Sequence, residues 1–354
     1  MHPSHQFFAT CFSNMRRIFE FEDASGTFFK SVFLAVFLVG QLGFTHESNA
    51  GTPDTKVSQK ETIKRSETDA IAAEYRELLE QDDAALQEVD EWIREANASP
   101  DAVNNPSLIS LPSKIEQRLK PLRVAYDAFI QKHPKHVGVR LAYASFLTDH
   151  GDEVLAAPHL IKATELDPKN PAAWNNLGNH FGHMGPVIKA FECYEKAIQF
   201  NPSAAVYFHN YATTVYLYRK DAMKHFGISE PEIFDKALEL YQIALKKEPE
   251  NFDLAEDIAQ TYYGIRTQTV PAKMALPDEA LEAWDYALKI APGEHERQGV
   301  YIHQARIHLQ IDQVAEAGMA LDKVNLPIYQ TLKERVSKNL NNRTDELVPS
   351  AQIR

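Results

Sequence analysis

Residues 171–202 read PAAWNNLGNHFGHMGPVIKAFECYEKAIQFNP, and no other stretch of the 354-residue chain constrains its architecture as tightly. Trp174, Leu177, Gly178 and Phe181 recur at helical spacing, and after Gly185 and Pro186 a second helical stretch carries Ala190, Tyr194 and Ala197 before Pro202. Large and small side chains are divided so that two helices can lie close together. Gly178, Ala190 and Ala197 provide hollows, Trp174, Leu177, Phe181 and Tyr194 fill the space between, and Pro202 cannot continue the second helix.

The arrangement recurs with a fixed period. Pro134, Pro168 and Pro202 are 34 residues apart, as are Ala144, Gly178 and Ala212. Ala237, Tyr241 and Ala244 precede Pro249 in the same order, and Ala280, Trp284 and Ala287 precede Pro292. A degenerate fifth unit begins near Gln298, with Ala305, Ala317, Leu321 and Val324 at the matching intervals. Chance matches among alanine-rich helices do not keep register over five units.

On these residues the chain resembles the tetratricopeptide repeat family. The resemblance implies an all-α fold: a right-handed α-solenoid of about five helix pairs with helical caps at both ends. A single pair cannot bury its apolar face, so neighbours must stack. Trp174, Leu177, Gly178, Phe181, Ala190, Tyr194, Ala197, Pro202, Ala237, Tyr241, Ala280 and Trp284 are the expected structural core.

Before the repeats the chain changes character. Residues 31–44 form an almost unbroken apolar run behind Lys30, followed by Ser48, Asn49 and Ala50. Residues 1–50 are therefore expected to be a secretory signal cleaved before Gly51, or a signal anchor if uncleaved. The run is short for a membrane span, which needs roughly 17–25 residues. Glu20, Glu22 and Asp23 dilute the basic flank, and a start at Met15 gives a more usual length. Export to a periplasm or beyond is the expectation, with anchoring in an inner membrane by residues 31–44 as the alternative.

Residues 51–66 read as a flexible leader, and 67–134 as N-terminal helices with a half repeat. Ile71, Tyr75, Leu78, Ala85, Val89, Trp92 and Ala96 share one helix face, which Asp82 interrupts. Residues 98–112 carry three prolines and read as a loop; Ser113 and Glu116 are spaced as a capping box for the next helix, which Pro121 kinks. The repeats span 137–326, a capping helix 327–342, and a disordered tail 343–354.

Two repeats are stretched. Gly178 to Ala190 spans 12 residues, but Ala212 to Ala237 spans 25 and Ala259 to Ala280 spans 21, so residues near 217–229 and 266–276 are insertions. The first gathers Tyr216, Tyr218, Arg219, Lys220, His225 and Phe226, which suggests a binding element. Ser229, Pro231 and Glu232 are set to open the helix that follows it.

Charge narrows the partners. The formal net charge is −12, and −11 without residues 1–50. An acidic chain without a basic stripe repels phosphate backbones, so nucleic acid is excluded as a partner. The membrane enters only through an uncleaved signal. Cys11 would leave with that signal, and Cys193 reads as a small buried hydrophobe.

The family lines a concave groove with the first helix of each pair. The resemblance then puts Asn175, Asn176, Asn179, His183, His209, Asn210, Thr213, Tyr216, Glu256, Gln260 and Arg306 at the groove, with Asp257 and His303 beside them. Asn176 and Asn210 are equivalent rungs of a short carboxamide ladder able to bond a peptide backbone. The family's lysine-built clamp for a C-terminal carboxylate is not reproduced, since Leu141 and Asn175 stand where its cation belongs. His180 and His183 share a helix face but have no third metal ligand.

No phosphate-binding glycine loop, nucleophile elbow or zinc-protease motif occurs. Neither cofactor nor metal is expected. The reading is a non-enzymatic scaffold for a protein or peptide partner in envelope or periplasmic assembly. The alternatives are a glycan-handling or hydrolytic envelope protein with the first insertion as lid, and a structural spacer or homo-oligomer using the helix of residues 71–96.

Overall fold

The computed structural model describes residues 59–97, 106–266 and 274–347. The signal of residues 1–50 and the start of the leader lie outside the described residues. The helices are α1 Gln59–Asn97, α2 Pro106–Lys132, α3 Val137–Asp149, α4 Glu153–Leu166, α5 Pro171–Met184, α6 Val187–Phe200 and α7 Ala205–Leu217. They continue with α8 Arg219–Phe226, α9 Glu230–Lys247, α10 Phe252–Thr261, α11 Pro277–Ile290, α12 Glu294–Gln310, α13 Val314–Asp322 and α14 Gln330–Leu347. Among the described residues no strand occurs beyond one isolated bridge between Arg266 and Met274. The fold is all-α among the described residues, with its helices following the register of the sequence repeats.

The repeat register is legible in burial. Ala156 and Ala163 of α4, Ala190 and Ala197 of α6, Ala237 and Ala244 of α9, and Ala280 and Ala287 of α11 are all completely buried. Two alanines two turns apart on each second helix leave room for a neighbouring backbone. The helix ends repeat as well. Asp167, Asn201 and Glu248 donate their backbone N–H to Ala163, Ala197 and Ala244, and a proline follows each. First helices open on side chains: Asn170 accepts from Ala173 N–H at 3.1 Å and Asn251 from Leu254 N–H at 3.0 Å.

The chain divides into two compact units between His180 and Phe181, within α5. In the first, Leu78, Ala85, Val89 and Ala96 of α1 are buried, as are Leu119, Leu122, Tyr126 and Phe129 of α2. Asp82 does not break the α1 stripe. It is buried within it and accepts the Tyr126 hydroxyl. α1 begins at Gln59, inside the stretch read as a leader, because residues 59–65 include the good helix formers Gln59, Lys60, Glu61, Lys64 and Arg65. α2 begins at Pro106 and runs through Pro112, Ser113 and Pro121. The expected loop therefore ends at residue 105, and Ser113 opens no helix. Proline in a first turn forgoes an N–H that has no partner there.

In the second unit, Ala190, Phe191, Tyr194, Tyr211, Val215, Ala222, Ile233 and Ala237 form one core, with Phe181, Met223 and Phe226 against it. The first insertion forms a helix, α8, which packs through Ala222, Met223 and Phe226. Gly227 closes it in the left-handed conformation (φ 69°), and Ser229 opens α9 as the sequence indicates. The Glu232 carboxylate accepts from the Ser229 N–H at 2.7 Å and from its hydroxyl at 2.6 Å. A further core joins Ala255, Ala259, Met274, Ala280, Trp284, Ala287, Val300 and Ile307. The terminal helix runs on to Leu347, past the expected boundary at 342, and Val336 packs on Ile302, Ala305, Ala317 and Leu321.

Candidate functional site

Among the described residues, buried polar side chains gather on the first helices of the later pairs. Eleven polar or charged residues are buried among the described residues, and nine of them lie on α5, α7, α10 and α12. They are Asn175, Asn179, His209, Asn210, Thr214, Asp257, Thr261, Gln298 and Gln304. Burying a polar group is unfavourable unless it is hydrogen-bonded, and several of these are: Thr214 and Thr261 donate to the backbone carbonyls of Asn210 and Asp257, and Gln304 donates to Asp285.

In the first unit, the Asn175 side-chain amide donates to Asn176 Oδ1 at 3.2 Å. Asn175 and Asn179 are buried and Asn176 is half-buried. Trp174, expected in the core, is only half-buried; its indole N–H donates to the Pro168 carbonyl at 2.8 Å. It braces the turn before its own helix. Leu177 and Gly178 are buried as expected.

In the second unit the expected residues do not all behave as groove walls. His183 is half-buried, and His209 and Asn210 are buried. His209 Nε2 lies 2.7 Å from Asp257 Oδ2, which joins α7 to α10. The Thr213 hydroxyl and the Tyr241 hydroxyl are 2.9 Å apart. Tyr216 packs on Phe234 and presses against Gly264, where a Cβ would come within 2.9 Å of its ring. Its half-buried ring fills space between helices. Phe181 is half-buried and Pro202 exposed, so Pro202 ends its helix without joining the core.

Glu256 and Gln260 of α10 are half-buried. Burial pushes the Glu256 carboxyl up to about 8, and the charges of Asp257, Asp253 and Glu296 act in the same direction. On α12, His303 stacks on Trp284 with ring centroids 4.2 Å apart, and its Nδ1 lies 3.1 Å from the Tyr263 hydroxyl. Burial of the ring, with Arg306 adding to it, pushes His303 down to about 3 and keeps it neutral. The Arg306 guanidinium lies over the Tyr263 ring at 5.2 Å. His303 and Arg306 are therefore tied to aromatic neighbours. Sequence reasoning missed the pairing of His209 with Asp257, because nothing local links residues 48 positions apart.

The Cys193 thiol is buried and pushed up to about 11, the reverse of an activated nucleophile. Among the described residues no group of three His, Cys, Asp or Glu side chains could hold a metal ion, and no helix is long and apolar enough to cross a membrane.

No protein-family model matches the chain. No curated protein is similar to it either. Solved structures similar to it include YrrB, described as a TPR protein with an unusual peptide-binding site, at 17 % identity over 60 % of this chain and 98 % of that one, TM-score 0.44. PilF of Pseudomonas aeruginosa is 18 % identical over 59 % of this chain and 86 % of its own, TM-score 0.44. A tetratricopeptide repeat protein of Parabacteroides merdae is 15 % identical over 76 % of this chain and all of its own, TM-score 0.42.

Proposed function

We propose that this chain is a non-enzymatic scaffold that holds an extended peptide, or a segment of a partner protein, against the first helices of its tetratricopeptide-type pairs. The observation that supports the reading is the gathering of buried polar residues on α7, α10 and α12, the first helices of the second unit. A rigid face of amides, carboxylates and imidazoles can accept a strand-like ligand with little ordering of the scaffold. The apolar run at residues 31–44 supports work in an envelope or periplasmic assembly after export.

The test replaces Asn176 and Asn210 by Ala in the full chain. Partner capture from the envelope fraction is expected to fall severalfold, with the melting temperature nearly unchanged. Unaltered capture would remove the carboxamide rungs from the account.

A further inference from the structure

In the first unit, α1 precedes the repeats and is seated on α2 and α3 through a carboxyl group that has no cation beside it. Asp82 lies near the middle of the 39-residue helix, 7 % exposed, on the same buried stripe as Leu78 and Ala85. Its Oδ2 accepts the hydroxyl of the wholly buried Tyr126 of α2. Its Oδ1 is buried with no hydrogen-bond partner, and no ion pair among the described residues reaches either oxygen.

The titratable groups around it are Tyr126 on α2, Tyr75 and Asp83 on α1, and Asp149 at the end of α3, which senses the charge of Asp82. None of them is a cation. Ionising a carboxyl in such a place exchanges good hydration for one hydroxyl and an unmet oxygen. Burial accordingly raises Asp82 to about 6, with Tyr126 opposing and Asp83 adding.

The other polar fastenings of α1 are weaker in kind. Lys132 meets Glu74 at 2.6 Å and Arg118 meets Glu88 at 2.5 Å, and both pairs are partly open to water. Exposed ion pairs contribute little. The Tyr75 ring adds contacts to Phe129 and His136, with centroids 5.9 and 4.6 Å apart.

We propose that Asp82 makes α1 a pH-sensitive cap: protonated, it keeps the helix seated, and ionised, it lets the helix open locally while the rest of the chain stays folded. Opening hydrates the carboxylate and uncovers Leu122, Tyr126 and Phe129, which are buried when α1 is in place. The seated state holds the proton more tightly than the open state. Opening therefore becomes easier as pH rises above about 4, and the gain is complete above about 6.

Amide hydrogen exchange of the full chain, read by mass spectrometry at pH 5 and pH 8 and corrected for intrinsic rates, locates the opening. Protection of residues 71–96 is expected to fall about tenfold between the two pH values, with α6 and α9 nearly unchanged. Asp82→Asn keeps an acceptor for Tyr126 and cannot ionise, so it should hold the pH 5 protection at both. Equal loss in α1, α6 and α9 would make the effect global and overturn the proposal. Loss in α1 that persists in Asp82→Asn would assign it to Glu74 and His133, 3.4 Å apart, and overturn it too. So would unchanged protection of α1.

Discussion

His209 on α7 and Asp257 on α10 meet at 2.7 Å through Nε2 and Oδ2, although 48 residues separate them. Each side chain is about 10 % exposed, so this polar joint between the first helices of successive pairs is nearly dry. Removing one partner leaves the other buried with an unmet hydrogen-bonding need. His209→Leu and Asp257→Leu should each lower unfolding free energy by about 3 kcal/mol. The double variant should lose less than the sum, with a coupling of roughly 1–3 kcal/mol in urea denaturation. Strict additivity would deny the pair its structural role.

The buried carboxyl of Asp82 should make stability depend on pH. Burial raises it from 3.8 to about 6, with Asp83 adding and the Tyr126 hydroxyl opposing. The folded state therefore holds this proton more tightly than the unfolded state. The associated stability is complete below about pH 4 and is lost as pH rises through about 6, a change on the order of 3 kcal/mol. Asp82→Asn keeps an acceptor for Tyr126 and removes the charge. It should be more stable than the parent at pH 7 and match it near pH 3, as read from melting temperatures across that range. A variant that loses stability at pH 7 would show the ionised form to be the favoured one.

The two tryptophans of the repeats should differ in cost. Trp284 is wholly buried and stacked on His303, whereas Trp174 keeps part of its ring exposed. Trp284→Ala should lose about 3–5 kcal/mol. Trp174→Ala should lose roughly 1–2 kcal/mol, from its partial burial and the hydrogen bond to Pro168. Chemical denaturation of the two variants orders them directly.

At the start of α9, Ser229→Ala should cost about 1 kcal/mol by removing one side of the capping box. Ser229→Asp, which keeps an acceptor at the cap, should recover most of that loss. If Ser229→Ala left the urea midpoint unchanged, the cap would contribute nothing.

What the sequence made legible was local. The alanines two turns apart, the prolines after Asp167, Asn201 and Glu248, and the cap at Ser229 each act within a few residues, and all appear where the spacing puts them. Proline misled in one direction only. Pro106 and Pro112 read as loop punctuation, yet the first starts α2 and the second is carried inside it. The eight residues of α8 were too few to display a helical period, so their packing through Ala222 and Phe226 was hidden. The candidate site was legible as a set of positions on first helices. Burial then divided that set: Asn175, Asn179, His209 and Asn210 are interior, whereas Asn176, His183, Thr213, Tyr216, Glu256, Gln260 and Arg306 keep part of their surface exposed.

Carboxyl footprinting tests the binding face most directly. The full chain is labelled with a carbodiimide and glycine ethyl ester, with and without the partner it captures from the envelope fraction, and read residue by residue by mass spectrometry. The account predicts severalfold slower labelling of Asp253 and Glu296 on the first helices, with Glu239 of α9 and Glu282 of α11 unaffected. Protection of Glu239 and Glu282, with Asp253 and Glu296 still reactive, would contradict it.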